Sequence, residues 1–269
     1  MTKEPERLDC GLIRQAMPES RRDLAIVLKQ TTESTNDDAK KLGAIGAAHG
    51  TLVLSETQTR GRGRFSRGFY SPAGTGLYMS VILRPGFALS DAPLVTIASA
   101  VAVCRALKSL SGFFPAVKWV NDVYLFNKKI CGILTETAMS AQSGGAAGVV
   151  TGIGINVSAK SGDFPPELRD KAGSVYPDGD PKISRSALAA YILNELLDIC
   201  DEADAGRRDF LHEYKSLLFM LGRQVSYTRG GESGRGLAYD VDGRGRLLIK
   251  VSGNGDTVAL DSGEVSVLI

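Results

Sequence analysis

The chain has 269 residues, 43% of them hydrophobic, with 32 Lys and Arg against 30 Asp and Glu. That length suits one large domain or two, and a net charge of +2 argues against a polyanion or a membrane surface as the main partner. The longest weakly polar run, residues 92–104, carries Pro93, Thr96 and Ser99 and stops at Arg105, short of the ~20 apolar residues of a bilayer span.

The N-terminus, MTKEPERLDC, places acids and a proline where a secretory signal has an apolar core, so a cytoplasmic location is expected. Residues 23–30 (DLAIVLKQ) read as a strand, and 31–36 (TTESTN) as a polar connection able to cap a helix over 37–48. A second strand is expected at 51–56, then a Gly/Arg loop to about residue 71, then an apolar third strand at 76–83 bounded by Gly76 and Pro85. Residues 92–110 look like a buried helix with Pro93 in its first turn. Four β-rich segments follow at 116–120, 123–126, 129–138 and 146–157, separated by Asn-Asp, Asn-Lys and Ser-Gly-Gly turn signals. Such a meander predicts a mixed or antiparallel sheet. Ser184 can cap a helix to about residue 203, in which Leu188, Ile192, Leu196 and Ile199 recur at helical spacing, and residues 208–219 make another. From Gly222 onward the pattern changes to short alternating strands between RGGESG, DGRG and SGNGD turns. This reads as a small β-barrel with little core of its own, expected to pack on the larger part. The expected domains are residues 1–221 and 222–269.

Cys10, Cys104, Cys131 and Cys200 are far apart without a CxxC pair, so neither a zinc knuckle nor a disulfide framework is indicated. Only His49 and His212 are present, which excludes multi-histidine metal sites and leaves few partners for a Ser or Cys nucleophile. Glycine is the outlier, 31 residues or about 11.5% against a usual ~7%.

The most unusual segment is QTRGRGRFSR, residues 58–67, where Arg60, Arg62, Arg64 and Arg67 fall within eight residues without one acid. Two such charges 4 Å apart repel by ~4 kcal/mol at an effective dielectric near 20, and Gly61 and Gly63 add freedom that costs entropy to fix. The empty loop is expected to be mobile. An anionic ligand reverses the balance, because guanidinium forks pair with carboxylate or phosphate oxygens and glycines admit backbone N–H groups to the same atoms. A solvated RG loop with weak nucleic-acid affinity is the alternative.

Three further segments decide the context: Glu33-Ser34-Thr35-Asn36; Lys118-Trp119-Val120-Asn121-Asp122 leading to Lys129-Ile130-Cys131-Gly132-Ile133-Leu134; and Gly152-Ile153-Gly154-Ile155-Asn156. With the GRGR loop and YSPAGTGLYMS after it, they resemble, in family order, the biotin protein ligases, in the short form without an N-terminal DNA-binding domain. The resemblance runs from about residue 33 to the C-terminus. It implies an α+β fold, a mixed or antiparallel sheet with helices as in the class II synthetase-like ligase core, plus a small C-terminal Src-homology-3-like β-barrel. It implies an enzyme that adenylates biotin with ATP and Mg²⁺ and transfers it to a lysine of the biotin carboxyl carrier domain of acetyl-CoA carboxylase or a related carboxylase.

By motif position the resemblance assigns Ser34, Thr35 and Asn36 to biotin contact, with a bare helix cap as the plain alternative, and Gln58 to the opposite wall. Gly61, Arg62, Gly63 and Arg64 match the loop that closes over biotin and the adenylate phosphate. Lys129 matches a lysine on the biotin carboxylate and α-phosphate, and Gly132 supplies backbone near the biotin ring. Lys118 is a weaker candidate for ATP contact. Asn121 and Asp122 fall at the nucleotide end, where Asp122 either helps hold Mg²⁺ or accepts the proton of the incoming amine; the metal ligands stay unassigned. Asn156 matches a phosphate-side or metal-side contact. The catalytic set implied is Lys129, Arg62 and Asp122. Two positions depart from the family, Val120 in place of a common proline and Phe69 in place of tryptophan, and Phe164 is a loose match for an adenine-stacking residue.

A lipoate ligase shares fold and adenylate chemistry but has a different arginine-glycine pattern. A nucleic-acid-binding protein leaves Lys129 and the GIGIN segment without a role, and only Phe65, Phe69 and Tyr70 interleave the basic loop. Thirty-two residues precede Glu33, too few for a winged helix-turn-helix, so no operator binding is expected. A homodimer through an exposed sheet edge is left open.

Overall fold

The computed structural model describes residues 6–84, 86, 92–142, 144–253 and 255–268. A short helix α1 (Cys10–Ala16) precedes β1 (Ile26–Thr32), α2 (Thr35–Ala44), β2 (Thr51–Gln58) and β3 (Gly76–Leu83). Then come α3 (Ala92–Ser111), β4 (Ala116–Lys118), β5 (Asp122–Leu125), β6 (Lys128–Met139) and β7 (Ala146–Asn156). Helices α4 (Arg185–Asp204) and α5 (Asp209–Leu217) lead to β8 (Arg223–Arg229), β9 (Glu232–Val241), β10 (Leu247–Val251), β11 (Thr257–Leu260) and β12 (Glu264–Val267).

The first seven strands form one mixed sheet in the order β1-β2-β3-β7-β6-β5-β4. Only β1–β2 is a parallel pair; the other neighbours are antiparallel. Every residue of β3 is buried, as the apolar run GLYMSVIL requires of a strand covered on both faces; Pro85, expected to bound it, lies outside the described residues. The large core lies between the sheet and α3, α4 and α5. Helix α3 is long and apolar enough to pass for a membrane span, but 72% of that stretch is buried inside the molecule, so its hydropathy is that of a core helix.

The opposite face positions the site. Strand alternation places Gly132, Leu134, Glu136 and Ala138 of β6 on one side, beside Gly154, Gly152 and Val150 of β7. Helix α2 covers only the far end, where Ala39 packs with Val53, Ile82, Ala138 and Val150 in a second small core. Its first residues stop above the glycines, which remain uncovered by any helix.

The helix expected over 37–48 begins and ends earlier, because Gln58 caps its first turn and Gly46 turns the chain at φ +98°. The first strand starts late because residues 21–24 form a turn, with Leu24 N–H donating to the Arg21 carbonyl at 3.2 Å. Helix α4 is capped as expected, Ser184 Oγ accepting from Ala187 N–H at 3.2 Å. Helix α1 was not foreseen; its seven residues show no clear period, yet Leu8, Ile13 and Met17 are buried in the main core.

The last five strands form an antiparallel sheet in the order β11-β10-β9-β8-β12, the strand set of a small Src-homology-3-like barrel. Its inward residues Val225, Val241, Leu247 and Ile249 belong to the same hydrophobic core as Leu94, Ile97 and Trp119. Trp119 Nε1–H donates to the Gly245 carbonyl at 3.0 Å, and Lys215 pairs with Asp240 at 2.7 Å. The small sheet thus shares the larger core, as its size requires. The Trp119–Val120 peptide bond is cis, and the Val120 carbonyl accepts from Tyr214 Oη–H at 2.9 Å.

One buried ion pair ties the N-terminal segment to this frame. Arg185, 3% exposed, meets Glu56, 6% exposed, at 2.9 Å, and also donates to the Gly76 carbonyl at 2.9 Å. The second Glu56 oxygen accepts from Leu8 N–H at 2.5 Å. Glu56→Ala strands the Arg185 charge in the core and is expected to cost about 3–5 kcal/mol in urea denaturation. A loss under about 1 kcal/mol, the range of surface pairs, contradicts that role.

Candidate active site

Over the uncovered glycines lies a cavity of about 780 Å³, of the size that encloses a small organic molecule. The start of α2, the β2–β3 loop, the β4–β5 corner, β6, β7, residues 164–172 and the start of β12 line it.

One wall is polar. Ser34 stands at the N-cap position of α2 with extended φ and ψ, yet its hydroxyl makes no capping bond. The residue is 3% exposed and its hydroxyl has no partner among the described residues, so the bare-cap reading fails. Gln58 does the capping instead, its Oε1 accepting from Thr35 N–H at 2.9 Å and lying 3.1 Å from Thr35 Oγ1. Gln58 Nε2–H in turn donates to Ser71 Oγ at 3.0 Å. Asn36 Nδ2–H₂ donates to the Leu134 carbonyl at 3.1 Å and to Glu136 Oε2 at 2.8 Å. Ser80 Oγ–H donates to Asn36 Oδ1 at 2.6 Å.

The floor is bare backbone. Gly132 and Gly154 sit side by side across β6 and β7. A Cβ at Gly154 would lie 2.6 Å from the Phe69 ring, and one at Gly132 3.3 Å from it; the aromatic ring rests on the space both glycines leave. A Cβ at Gly152 would overlap the Asn36 amide. Gly61 does not line the cavity. It backs the loop, where a Cβ would lie 2.5 Å from the Phe69 carbonyl oxygen and 2.6 Å from Ser71 Oγ. The loop folds on itself, Phe69 N–H donating to Gly61 O at 2.8 Å and Gly63 N–H to Arg67 O at 2.7 Å. Its tip, Phe65 and Ser66, takes left-handed φ values of 56° and 57°, which cost a side-chain-bearing residue about 1–3 kcal/mol each.

The cations complete the site. Lys129 Nζ lies 2.7 Å from Asp122 Oδ1. Arg64 donates to Asn121 Oδ1 at 3.0 Å, and Asn121 Nδ2–H donates to the Ile133 carbonyl at 2.9 Å. Burial pulls the Arg64 guanidinium below its ordinary pKa, while Asp122 pulls it back. Arg62 bridges Asp37 at 2.6 Å and Glu136 at 2.9 Å, Arg60 meets Glu33 at 3.4 Å, and Arg67 pairs with Glu264. Repulsion within the run, reckoned from its own charges, is therefore offset by acids from elsewhere in the chain. Burial alone would raise the Glu136 carboxyl, but hydrogen bonds from Lys40 and Asn36 and the charges of Lys40 and Arg62 hold it below the ordinary value. Asn156 Nδ2–H donates to the Gly173 carbonyl at 2.9 Å. Lys118 lines the cavity without an ionic partner among the described residues.

The cavity thus gathers Ser34, Thr35, Asn36, Gln58, Arg62, Gly63, Arg64, Asn121, Asp122, Lys129, Gly132 and Asn156; of the residues singled out from sequence, Gly61 and Arg60 do not line it. It also contains Phe69, Tyr70 and Phe164, the last 2% exposed with its ring 6.2 Å from Tyr70. Neither histidine lines it. Cys131 does, but burial pushes its thiol well above the ordinary pKa, so it is no thiolate nucleophile. The cations and amides that line the cavity suit charge neutralisation and alignment of an anion. Sequence reasoning passed over Glu136 and Glu264. For Glu136 a signal existed, since it shares the Gly132–Leu134 face of β6 by strand period; for Glu264 none did.

Residues 27–156 match the biotin/lipoate A/B protein ligase family, and residues 220–268 match the biotin protein ligase C terminal domain. The bifunctional ligase/repressor BirA of Bacillus spizizenii is 38% identical over 72% of this chain and 59% of its own length, so the chain spans less than two thirds of that relative. The biotin--[acetyl-CoA-carboxylase] ligase of Mycobacterium tuberculosis is 31% identical over 87% of this chain and 85% of its own. The solved structure of the Aquifex aeolicus biotin protein ligase in complex with biotin and ATP superposes with a TM-score of 0.75 at 26% identity, covering 90% of this chain and 97% of that one.

Because the loop is tied down by ion pairs, salt should loosen it without any ligand. Between about 0.01 M and 1 M NaCl the screening length falls from about 30 Å to 3 Å, and amide exchange of residues 60–67 is expected to rise several-fold while β7 stays protected. A loop indifferent to salt contradicts the tethering.

Proposed function

This chain belongs to the biotin protein ligase family, and on that premise we propose that it activates biotin with ATP to biotinyl-5'-AMP and transfers the biotin to a specific lysine of a biotin carboxyl carrier domain. The observation that carries the reading is one cavity holding a hydrogen-bonding wall, a glycine floor and three cations, Lys129 and Arg64 beside Asp122 and Asn121 and Arg62 over Glu136. The Mycobacterium relative's name and the biotin and ATP in the Aquifex structure support it. The repressor half of the Bacillus name is a statement about those longer proteins.

Activation joins two anions. A biotin carboxylate oxygen attacks the α-phosphorus of ATP, the bond to the leaving oxygen breaks, and pyrophosphate departs. Repulsion between carboxylate and phosphate is the barrier the protein must lower. In this reading Lys129, held by Asp122 at 2.7 Å, neutralises both, and Arg62 and Arg64 add charge from the loop. The Ser34 hydroxyl, Thr35 and Gln58 face the ureido ring, and its flat bicycle takes the space over Gly132 and Gly154 once the Phe69 ring, which rests there in this structure, moves aside. Phe164 and Tyr70 offer the adenine an apolar side, with Lys118, Asn121 and Asn156 toward its phosphates. Mg²⁺ enters as the counter-ion of ATP. No cluster of three or more His, Cys, Asp or Glu suited to a metal occurs among the described residues, so the ATP phosphates and water would supply most of its ligands. In the second step the acceptor lysine amine attacks the acyl carbon, AMP leaves with the bonding pair, and Asp122 is the carboxylate we assign to take the amine proton.

Lipoate carries no ring N–H groups, so the polar wall favours a cyclic urea over a dithiolane. The reaction belongs in the cytoplasm, with ATP and the carboxylase. Incubation with ATP, Mg²⁺ and biotin is expected to release pyrophosphate, and lipoate to release far less. Lys129→Ala and Arg62→Ala are expected to slow that release by ~10²-fold with unchanged far-UV dichroism. Absence of biotin-dependent release, or variants as fast as the parent, contradicts the proposal.

A further inference from the structure

Glu136 joins two parts of the site that the reaction uses separately. Its Oε2 accepts from Asn36 Nδ2–H at 2.8 Å and from Arg62 at 2.9 Å, while Oε1 accepts from Lys40 at 2.9 Å. With the Leu134 carbonyl taking the other hydrogen at 3.1 Å, both amide hydrogens of Asn36 are spent on the protein. The one Ser80 hydroxyl hydrogen has Asn36 Oδ1 at 2.6 Å and Thr35 Oγ1 at 2.8 Å as acceptors. An amide oxygen has two lone pairs and an amide nitrogen two hydrogens, so the capacity left on Asn36 is that of an acceptor only. Turning the amide over would set its oxygen against two acceptors, so the network fixes this orientation.

Glu136 is also the better buried of the two acids on Arg62, its side chain 22% exposed against 37% for Asp37. The residue that sets the hydrogen-bonding sense of the wall therefore also anchors the loop.

We propose that Glu136 is a positioning and specificity residue: it holds Asn36 as an acceptor-only group, selecting a ligand ring that donates N–H, and it tethers the loop through Arg62. The inference rests on the proposed biotin chemistry and assigns it a determinant outside the groups that touch the reacting atoms.

Two variants separate the tasks. In Glu136→Gln the amide oxygen still accepts from Asn36, and Lys40 keeps Asp37 at 3.2 Å, but the charge that holds Arg62 is gone. In Glu136→Leu both functions are lost. Glu136→Leu is expected to raise the biotin KM about tenfold or more with little change in kcat, and to narrow the rate advantage of biotin over lipoate. Glu136→Gln is expected to keep the biotin KM within about twofold. Both are expected to lose bound adenylate sooner and to exchange the amides of residues 61–63 faster than the parent in the absence of ligand. A parental biotin KM in folded Glu136→Leu, or an equal KM defect in Glu136→Gln, overturns the proposal. A parent that releases no pyrophosphate sinks the proposed reaction instead; the ligand-free exchange of residues 61–63 still decides the tether, and unchanged exchange in both variants overturns it.

Discussion

Four arginines fall within eight residues, and acids around the cavity rim offset the charge of three of them in this structure. The partners come from separate elements: Glu33 ahead of α2, Asp37 on α2, Glu136 on β6 and Glu264 on β12, with the Asn121 amide for Arg64. The loop lies over the cavity because these groups lie around its rim. Most of the pairs are half exposed, where an ion pair is worth about 0–1 kcal/mol. An anion with several charges can therefore replace them at small cost, and in the proposed function the same arginines serve as a tether without ligand and as a clamp with one.

The second constraint is space. A ring can lie on the sheet only where β6 and β7 carry no side chains, and Gly132 and Gly154 are paired there. Helix α2 stops short of this point and turns its N-terminal residues toward it, which brings Ser34, Thr35 and Asn36 to the wall. Lys129 precedes Gly132 on the same floor strand, close enough that its Cε would lie 3.4 Å from a Cβ at Gly132. In the proposed function, recognition of a neutral ring and neutralisation of an acidic tail are thereby held at adjacent points of one strand.

Much of this was legible in the sequence. The apolar run of β3, the Asn-Lys turn between β5 and β6 and the helical spacing of α4 were found at or near their observed bounds because each follows from local period and turn chemistry. Ser34, Lys129 and the glycines were named by motif order, and the structure brings them to one cavity. What stayed hidden depended on tertiary neighbours. Helix α1 is too short to show a period and is held by burial of Leu8, Ile13 and Met17. The acids that offset the loop charges lie 25 to 197 positions away from their arginines, so no local reading pairs them. Gly61 carried the motif but serves the back of the loop.

The central claim, that this cavity builds and keeps a biotin adenylate, is tested most directly by native mass spectrometry after incubation with ATP, Mg²⁺ and either biotin or lipoate. The account predicts a complex heavier than the protein by the mass of biotinyl-5'-AMP, formed from biotin alone. Unliganded protein in both samples, or an adenylate formed from lipoate instead, contradicts it.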